Sequence, residues 1–210
     1  MVNFIIGPFI IWLPKIFLVA TFVSVLFLYA LENFLGWKGK TIPPIFNRIY
    51  KLLPIILISF YVFYASIKTF AQYYVWSSGS FGKLLLPPYQ DLSYFVFYSF
   101  GRFWLNAILA VGAAFVFYLF LKTLSRYRQG FFKDGEKEIG LISALLSGWP
   151  GVAVFIPLVF IITVVLAIIR LSIFKLRTTT LGLPFLLSAV IILLWGSKLV
   201  SFLNLSVLKI

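Results

Sequence analysis

The sequence predicts an all-α polytopic membrane protein with about six transmembrane helices, the fourth of them short, and with both termini outside. The first observation is composition, because 62% of the 210 residues are hydrophobic and only 11% are charged, whereas soluble domains carry about 25% charged residues. The second is the length of the apolar runs, several of which reach the roughly 20 residues that a membrane-spanning helix needs. The third is the clustering of Lys and Arg between the runs, which is typical of membrane orientation signals.

Five apolar runs follow one another along the chain. They cover about residues 4–31, 52–72, 92–121, 139–169 and 183–207. A helix satisfies its own backbone hydrogen bonds, which lipid cannot do, so each run is expected to be helical. The chain shows no internal repeat and no low-complexity tail. We therefore expect a single membrane-embedded helical domain over residues 1–210.

The fourth run contains a cluster of helix-breaking residues, Gly148, Pro150 and Gly151. Such a cluster frees backbone groups that lipid cannot pair. Residues 139–169 form either one kinked helix or a short helix followed by a full one. Only the second alternative places the basic loops at 33–51, 122–137 and 170–177 on one side of the membrane. The positive-inside rule favours this six-helix arrangement in the cell membrane, with those loops in the cytoplasm.

The chain contains no Cys and no His. This excludes thiol nucleophiles, disulfides, imidazole bases and the usual ligands of zinc, haem and iron–sulfur clusters. We expect no cofactor and no metal site. The net charge of +13 is attributed to loops beside a lipid bilayer and not to nucleic-acid binding, since basic loops accompany membrane spans.

Acidic residues are few, and their positions limit the possible chemistry. Glu32 ends the first predicted helix, while Asp134, Glu136 and Glu138 open the fourth. Asp91 lies at the opposite end of the third helix. A pair of nearby carboxylates can hydrolyse an amide, because one keeps a proton while the other activates water. Acids in the first turn of a helix also complement its dipole, without any catalytic role.

Several short motifs resemble prepilin peptidases, which are membrane aspartic proteases of the GxGD type. The stretch "KDGEKEIGLISALLSGWPG" carries Gly135-Glu136 and Gly148-Trp149 at the separation of that family's Gly-Asp and Gly-Trp pairs. Residues 183–186 resemble the family's closing helix. Ile42-Pro43 resembles the segment that follows the family's first catalytic Asp.

The resemblance covers about half of the chain, mainly residues 126–196, and departs from the family at the catalytic positions. Glu136 stands where the family has Asp, and Glu138 stands where it has Lys. No Asp precedes Ile42-Pro43 at the family's distance, and Glu32 is the nearest acid. A Glu side chain is one methylene longer than that of Asp, and a shift of about 1 Å at a catalytic group can cost about a hundredfold in rate.

The resemblance implies an endopeptidase that cleaves leader peptides of pilin-like precursors at the cytoplasmic face. Its acid/base pair would be Glu136 and Glu32, with Asp134 as a substitute. The alternative is a catalytically inactive relative that acts as a membrane binding or assembly subunit. A third possibility is a small transporter or channel subunit, for which Arg102 and Asn106 are the candidate polar pair within the apolar runs.

Overall fold

The computed structural model describes residues 2–38, 43–127, 132–174 and 181–208, and every regular element within them is helical. The helices are α1 (Val2–Trp37), α2 (Ile45–Ser78), α3 (Leu92–Ser99), α4 (Leu105–Tyr127), α5 (Glu136–Ser147), α6 (Gly151–Phe174) and α7 (Gly182–Phe202). A five-residue π-helix, Phe100–Trp104, joins α3 to α4. Short 3₁₀ turns follow α2 and α7, at Gly82–Leu85 and Leu205–Leu208.

Within these described ranges, five helical spans are long and apolar enough to cross a membrane: Trp12–Trp37, Ile45–Ser78, Leu92–Tyr127, Gly151–Ser172 and Gly182–Phe202. The predicted all-α polytopic membrane fold is therefore confirmed. Helix α3, the π-helix and α4 form one continuous helical rod, Leu92–Tyr127, which is the third of these spans. Helix α5 follows this rod and corresponds to the predicted short fourth helix. Its 12 residues extend about 18 Å, which is less than the roughly 30 Å of a hydrocarbon core.

Residues 139–169 form two helices that run in opposite directions. Helix α5 lies parallel to α7, because both the starts and the far ends of the two segments are close together. At the start of α5, the carboxylate of Glu136 accepts a hydrogen bond from the amide of Gly182, the first residue of α7. Near the end of α5, a Cβ at Gly151 would lie 3.1 Å from Ile192 Cγ2. Helix α6 then returns, since Thr163 and Leu181 line the same small apolar cavity. The chain thus reverses at residues 148–150, as the charge pattern predicts.

Two side-chain hydrogen bonds join this reversal to other elements of the bundle. The hydroxyl of Tyr61 on α2 donates to the carbonyl of Leu145 at 2.7 Å. The indole N–H of Trp149 donates to the carbonyl of Leu208 at 2.8 Å. Gly148 occupies φ 58°, which favours a residue without Cβ. Irregular backbone at membrane depth is stable only where protein groups supply its partners. Here the Gly148 N–H donates to the Leu145 carbonyl and the Val152 N–H donates to the Gly148 carbonyl, with Tyr61 as an added donor.

The helix ends that flank the three predicted basic loops lie at one end of the bundle. Glu32, near the end of α1, and Tyr50, near the start of α2, contact each other there. Helix α4 reaches the same end, because a Cβ at Gly140 of α5 would lie 2.7 Å from Leu121 Cδ1. The loops' Lys40, Arg128, Lys175 and Arg177, with Ile42 of the family motif, lie outside the described residues.

Replacement of Tyr61 by Phe tests the hydrogen bond at the reversal. The Leu145 carbonyl, which also accepts from the backbone N–H of Gly148, would lose its second donor, and loss of one hydrogen bond costs about 0.5–1.5 kcal/mol. We expect a lower thermal unfolding temperature in detergent, measured by circular dichroism. Tyr74→Phe serves as the control, since Tyr74 on the same helix is 45% exposed. Equal stability of the two variants would contradict the role assigned to Tyr61.

Single cysteines test the direction of α6, because the chain has no Cys to remove beforehand. We expect Lys38→Cys and Arg170→Cys to react with a membrane-impermeant maleimide from the same side of sealed vesicles. Lys83→Cys, in the turn after α2, should react from the opposite side. Labelling of Arg170→Cys together with Lys83→Cys would contradict the reversal between α5 and α6.

Candidate functional site

A pocket of about 340 Å³ opens where α1 ends and α5 begins. It is lined by Tyr29, Glu32, Asn33, Gly36, Trp37, Lys133, Asp134, Glu136 and Ile139. Three of the five acids in the chain therefore share one cavity with a single lysine. In a protein of net charge +13, this concentration of carboxylates makes the pocket a distinct chemical environment.

Glu136 is the most buried acid of the pocket, with 3% of its surface exposed. Its Oε2 accepts a hydrogen bond from the backbone N–H of Lys133 at 3.0 Å. Its Oε1 accepts one from the backbone N–H of Gly182 at 3.2 Å. The carboxylate therefore joins the chain before α5 to the first residue of α7, two segments that are 46 residues apart in sequence.

Two glycines allow tyrosine rings to pack against this junction. Gly135 has φ +87°, and a Cβ there would lie 2.9 Å from Cδ2 of Tyr50. A Cβ at Gly182 would lie 2.6 Å from Cε2 of Tyr29. Both distances are shorter than carbon–carbon contacts permit. The rings of α1 and α2 can therefore approach the backbone beside Glu136 only because these positions carry no side chain.

Glu32 approaches the same cavity from α1. It is half-buried, and its Oε2 accepts a hydrogen bond from the hydroxyl of Tyr50 at 3.1 Å. The charged groups that interact with it electrostatically are Lys133, Glu136 and Asp134. The carboxyl groups of Glu32 and Glu136, predicted as a pair from the sequence, thus line one pocket.

The other acids occupy different surroundings. Asp134 is exposed at the pocket, where it can meet a bound ligand but is not held in place by burial. Glu138 is not among the pocket's lining residues and interacts with Tyr118 of α4. Asp91 precedes α3, at the opposite end of the bundle. Sequence reasoning missed Tyr50, because its contact with Glu32 joins two helices and no local pattern marks it.

Burial raises the pKa of Glu136 above its ordinary value, while hydrogen bonds from the backbone N–H groups of Lys133 and Gly182 oppose the shift. The protonated form is therefore more favoured in the folded protein than in the unfolded chain. A carboxyl group of this kind can keep a proton while a more exposed neighbour is ionised. In the described parts of the chain, no group of three or more His, Cys, Asp or Glu side chains is arranged to hold a metal ion.

Comparison of the chain with family models, with curated proteins and with solved structures gives no match. The resemblance to prepilin peptidases accordingly stays a prediction from motifs. The class of protein that the fold defines is a polytopic helical membrane protein. Its candidate site is the acidic pocket between α1 and α5.

Gly135→Ala tests the packing beside Glu136. A non-glycine residue in the left-handed region costs about 1–2 kcal/mol, and the added methyl would also displace the ring of Tyr50. We expect a lower unfolding temperature in detergent. Gly112→Ala is the control, since a Cβ at that helical position meets nothing within 4 Å. A Gly135→Ala protein as stable as Gly112→Ala would contradict this packing.

The raised pKa of Glu136 predicts a pH dependence of stability. Its contribution is fully present below the ordinary Glu value of 4.5 and is lost as the pH rises through the raised folded-state pKa. We expect Glu136→Gln to remove this component when unfolding temperatures are compared across pH 4 to 8. Asp91→Asn should leave the slope unchanged. A wild-type slope retained in Glu136→Gln would exclude Glu136 as its source.

Proposed function

We propose that this protein is a membrane endopeptidase of the aspartic type, similar to prepilin peptidases, with Glu32 and Glu136 as its acid/base pair. The observation that supports the proposal most directly is the shared pocket. Two carboxyl groups from separate helices line one cavity at the end of the bundle. With no Cys or His in the chain, paired carboxylates are the acid/base device best suited to amide hydrolysis here.

The two carboxyl groups have environments that suit different roles. Glu136, the more buried, acts as the acid and holds a proton. Glu32, half-buried and hydrogen-bonded to Tyr50, acts as the base. Glu32 takes a proton from water, the resulting hydroxide attacks the carbonyl carbon, and Glu136 gives its proton to the amide nitrogen. The C–N bond then breaks to release a carboxylic acid and an amine.

The proposed substrate is the leader segment of a pilin-like precursor. With Glu136 protonated, the carboxylates of Glu32 and Asp134 outnumber the ammonium of Lys133 among the described lining residues, which suits a peptide with basic residues. Trp37, 84% exposed at the pocket, offers an aromatic surface to such a chain. The proposed location is the cell membrane, with the pocket and the basic loops at the cytoplasmic face, because Lys and Arg accumulate at that end.

Processing of a co-expressed pilin-like precursor tests the proposal. We expect Glu136→Gln and Glu32→Gln each to reduce cleavage at least about a hundredfold, since loss of acid/base catalysis costs about 10²–10⁴. Asp134→Asn tests whether that exposed acid can act as a substitute. Asp91→Asn, at the opposite end, is the control and should cleave normally. Unchanged cleavage by both glutamine variants would exclude Glu32 and Glu136 as the acid/base pair.

The second candidate is a non-catalytic relative that binds a leader peptide or another membrane subunit. Both oxygens of Glu136 already accept backbone hydrogen bonds, an arrangement that suits a structural tie between α5 and α7. In this case wild-type protein would retain a leader peptide without cutting it. Crosslinking of an intact precursor to the pocket, with no cleaved product, would favour this alternative.

A further inference from the structure

A pair of basic side chains lies at the end of the bundle opposite the acidic pocket. Lys68 lies five turns beyond Tyr50 along α2, which is about 27 Å at about 1.5 Å per residue. This distance is close to the roughly 30 Å thickness of a hydrocarbon core. Lys68 and Arg102 of the π-helix interact electrostatically as like charges. The pair is therefore at the depth where the second headgroup layer of a bilayer begins.

The acids of the chain are distant from this pair. Glu32, Asp134 and Glu136 line the pocket at the other end, and Glu138 is in the same turn of α5. Asp91 precedes α3 and lies eleven residues before Arg102, about 16 Å along the helical rod. Adjacent like charges repel most strongly where water is scarce. The free energy of the pair falls when an anion binds between its members.

Packing against aromatic rings holds the ammonium of Lys68 in place. The Lys68 ammonium lies 4.5 Å from the ring centre of Tyr64 and 5.9 Å from that of Phe103, distances at which aromatic faces attract a cation. Lys68 is half-buried as a result. A lysine that merely extends its stem toward water leaves its ammonium in solvent. Here the ammonium is fixed between α2 and the π-helix.

The π-helix that carries Arg102 is anchored to α2 next to Lys68. Its neighbour Trp104 donates a hydrogen bond from its indole N–H to Thr69 Oγ1 of α2 at 3.1 Å. This bond joins the helical rod Leu92–Tyr127 to α2 at Thr69, the residue after Lys68. π-Helices are rare and frequently mark functional sites. Arg102 is exposed, and a Cβ at the adjacent Gly101 would meet nothing within 4 Å, so a ligand has room to approach the guanidinium.

We propose that Lys68 and Arg102 bind the phosphate of an anionic phospholipid at this end of the bundle. The guanidinium fork suits two phosphate oxygens, and the ammonium supplies a second charge. Phe97 and Phe100, which are 83% and 48% exposed within two turns of Arg102, provide apolar surface for acyl chains. Basic pockets between transmembrane helices bind anionic headgroups in this way.

Native mass spectrometry of the purified protein tests the proposal by counting bound lipids. Phosphatidylglycerol and phosphatidylcholine of identical acyl chains would be titrated separately. We expect at least about a tenfold preference for phosphatidylglycerol, lost in Lys68→Gln and in Arg102→Gln. Lys198→Gln is the matched control, because this exposed lysine also interrupts an apolar helix; it should keep the preference.

Charge-retaining variants cover the case in which a glutamine variant does not fold. Lys68→Arg should keep the preference, and Arg102→Lys should weaken it because the two-pronged fork is lost. Equal binding of both lipids to the wild type, or an unchanged preference in Lys68→Gln and Arg102→Gln, would overturn the proposal. Complete displacement of phosphatidylglycerol by inorganic phosphate would assign the site to a free phosphate and would overturn it as well.

Discussion

The requirement that every backbone polar group within a membrane must find a protein partner governs this structure. Most of the chain meets it by forming helices. At the reversal between α5 and α6, local bonds such as those from the Gly148 N–H to the Leu145 carbonyl and from the Val152 N–H to the Gly148 carbonyl supply partners. Tyr61 of α2 adds a second donor to the Leu145 carbonyl, and the Trp149 indole donates to the carbonyl of Leu208. Because Tyr61 and Leu208 belong to other elements of the bundle, these two contacts form only when the helices have assembled. The position of α5, and with it the acidic pocket, depends on that assembly.

The pocket combines two physical effects that normally oppose each other. Burial disfavours a charged carboxyl group at Glu136, while two backbone N–H groups stabilise the same charge. Two glycines, Gly135 and Gly182, allow tyrosine rings to pack against the backbone beside this carboxyl group. A proton on Glu136 is thus sensitive to small changes around α5 and α7. This sensitivity serves an acid/base catalyst and would equally serve a subunit that changes shape when a basic peptide binds.

The global features of the fold were predictable from local sequence properties. Hydropathy located the spans, and the distribution of Lys and Arg selected a reversal at residues 148–150 over a kinked helix. The grouping of Glu32, Asp134 and Glu136 followed from that topology, which placed their helix ends together. The details of the site did not follow. The bond between Glu136 and Gly182 and the contact of Tyr50 with Gly135 arise from tertiary packing between residues more than 40 positions apart, and no periodicity encodes them.

The length of α5 has a consequence for the surrounding lipid. At the level of the pocket, α5 and α6 both contribute to the bundle, but their hairpin ends near Ile192, and α7 continues for ten more residues to Phe202. Beyond Ile192, α5 and α6 therefore no longer extend alongside α7, where Leu194 and Trp195 are 65% and 50% exposed. Ile192 lies ten residues, or about 15 Å, from the start of α7, which is half of a roughly 30 Å hydrocarbon core, so acyl chains of the leaflet opposite the pocket contact this part of α7 directly.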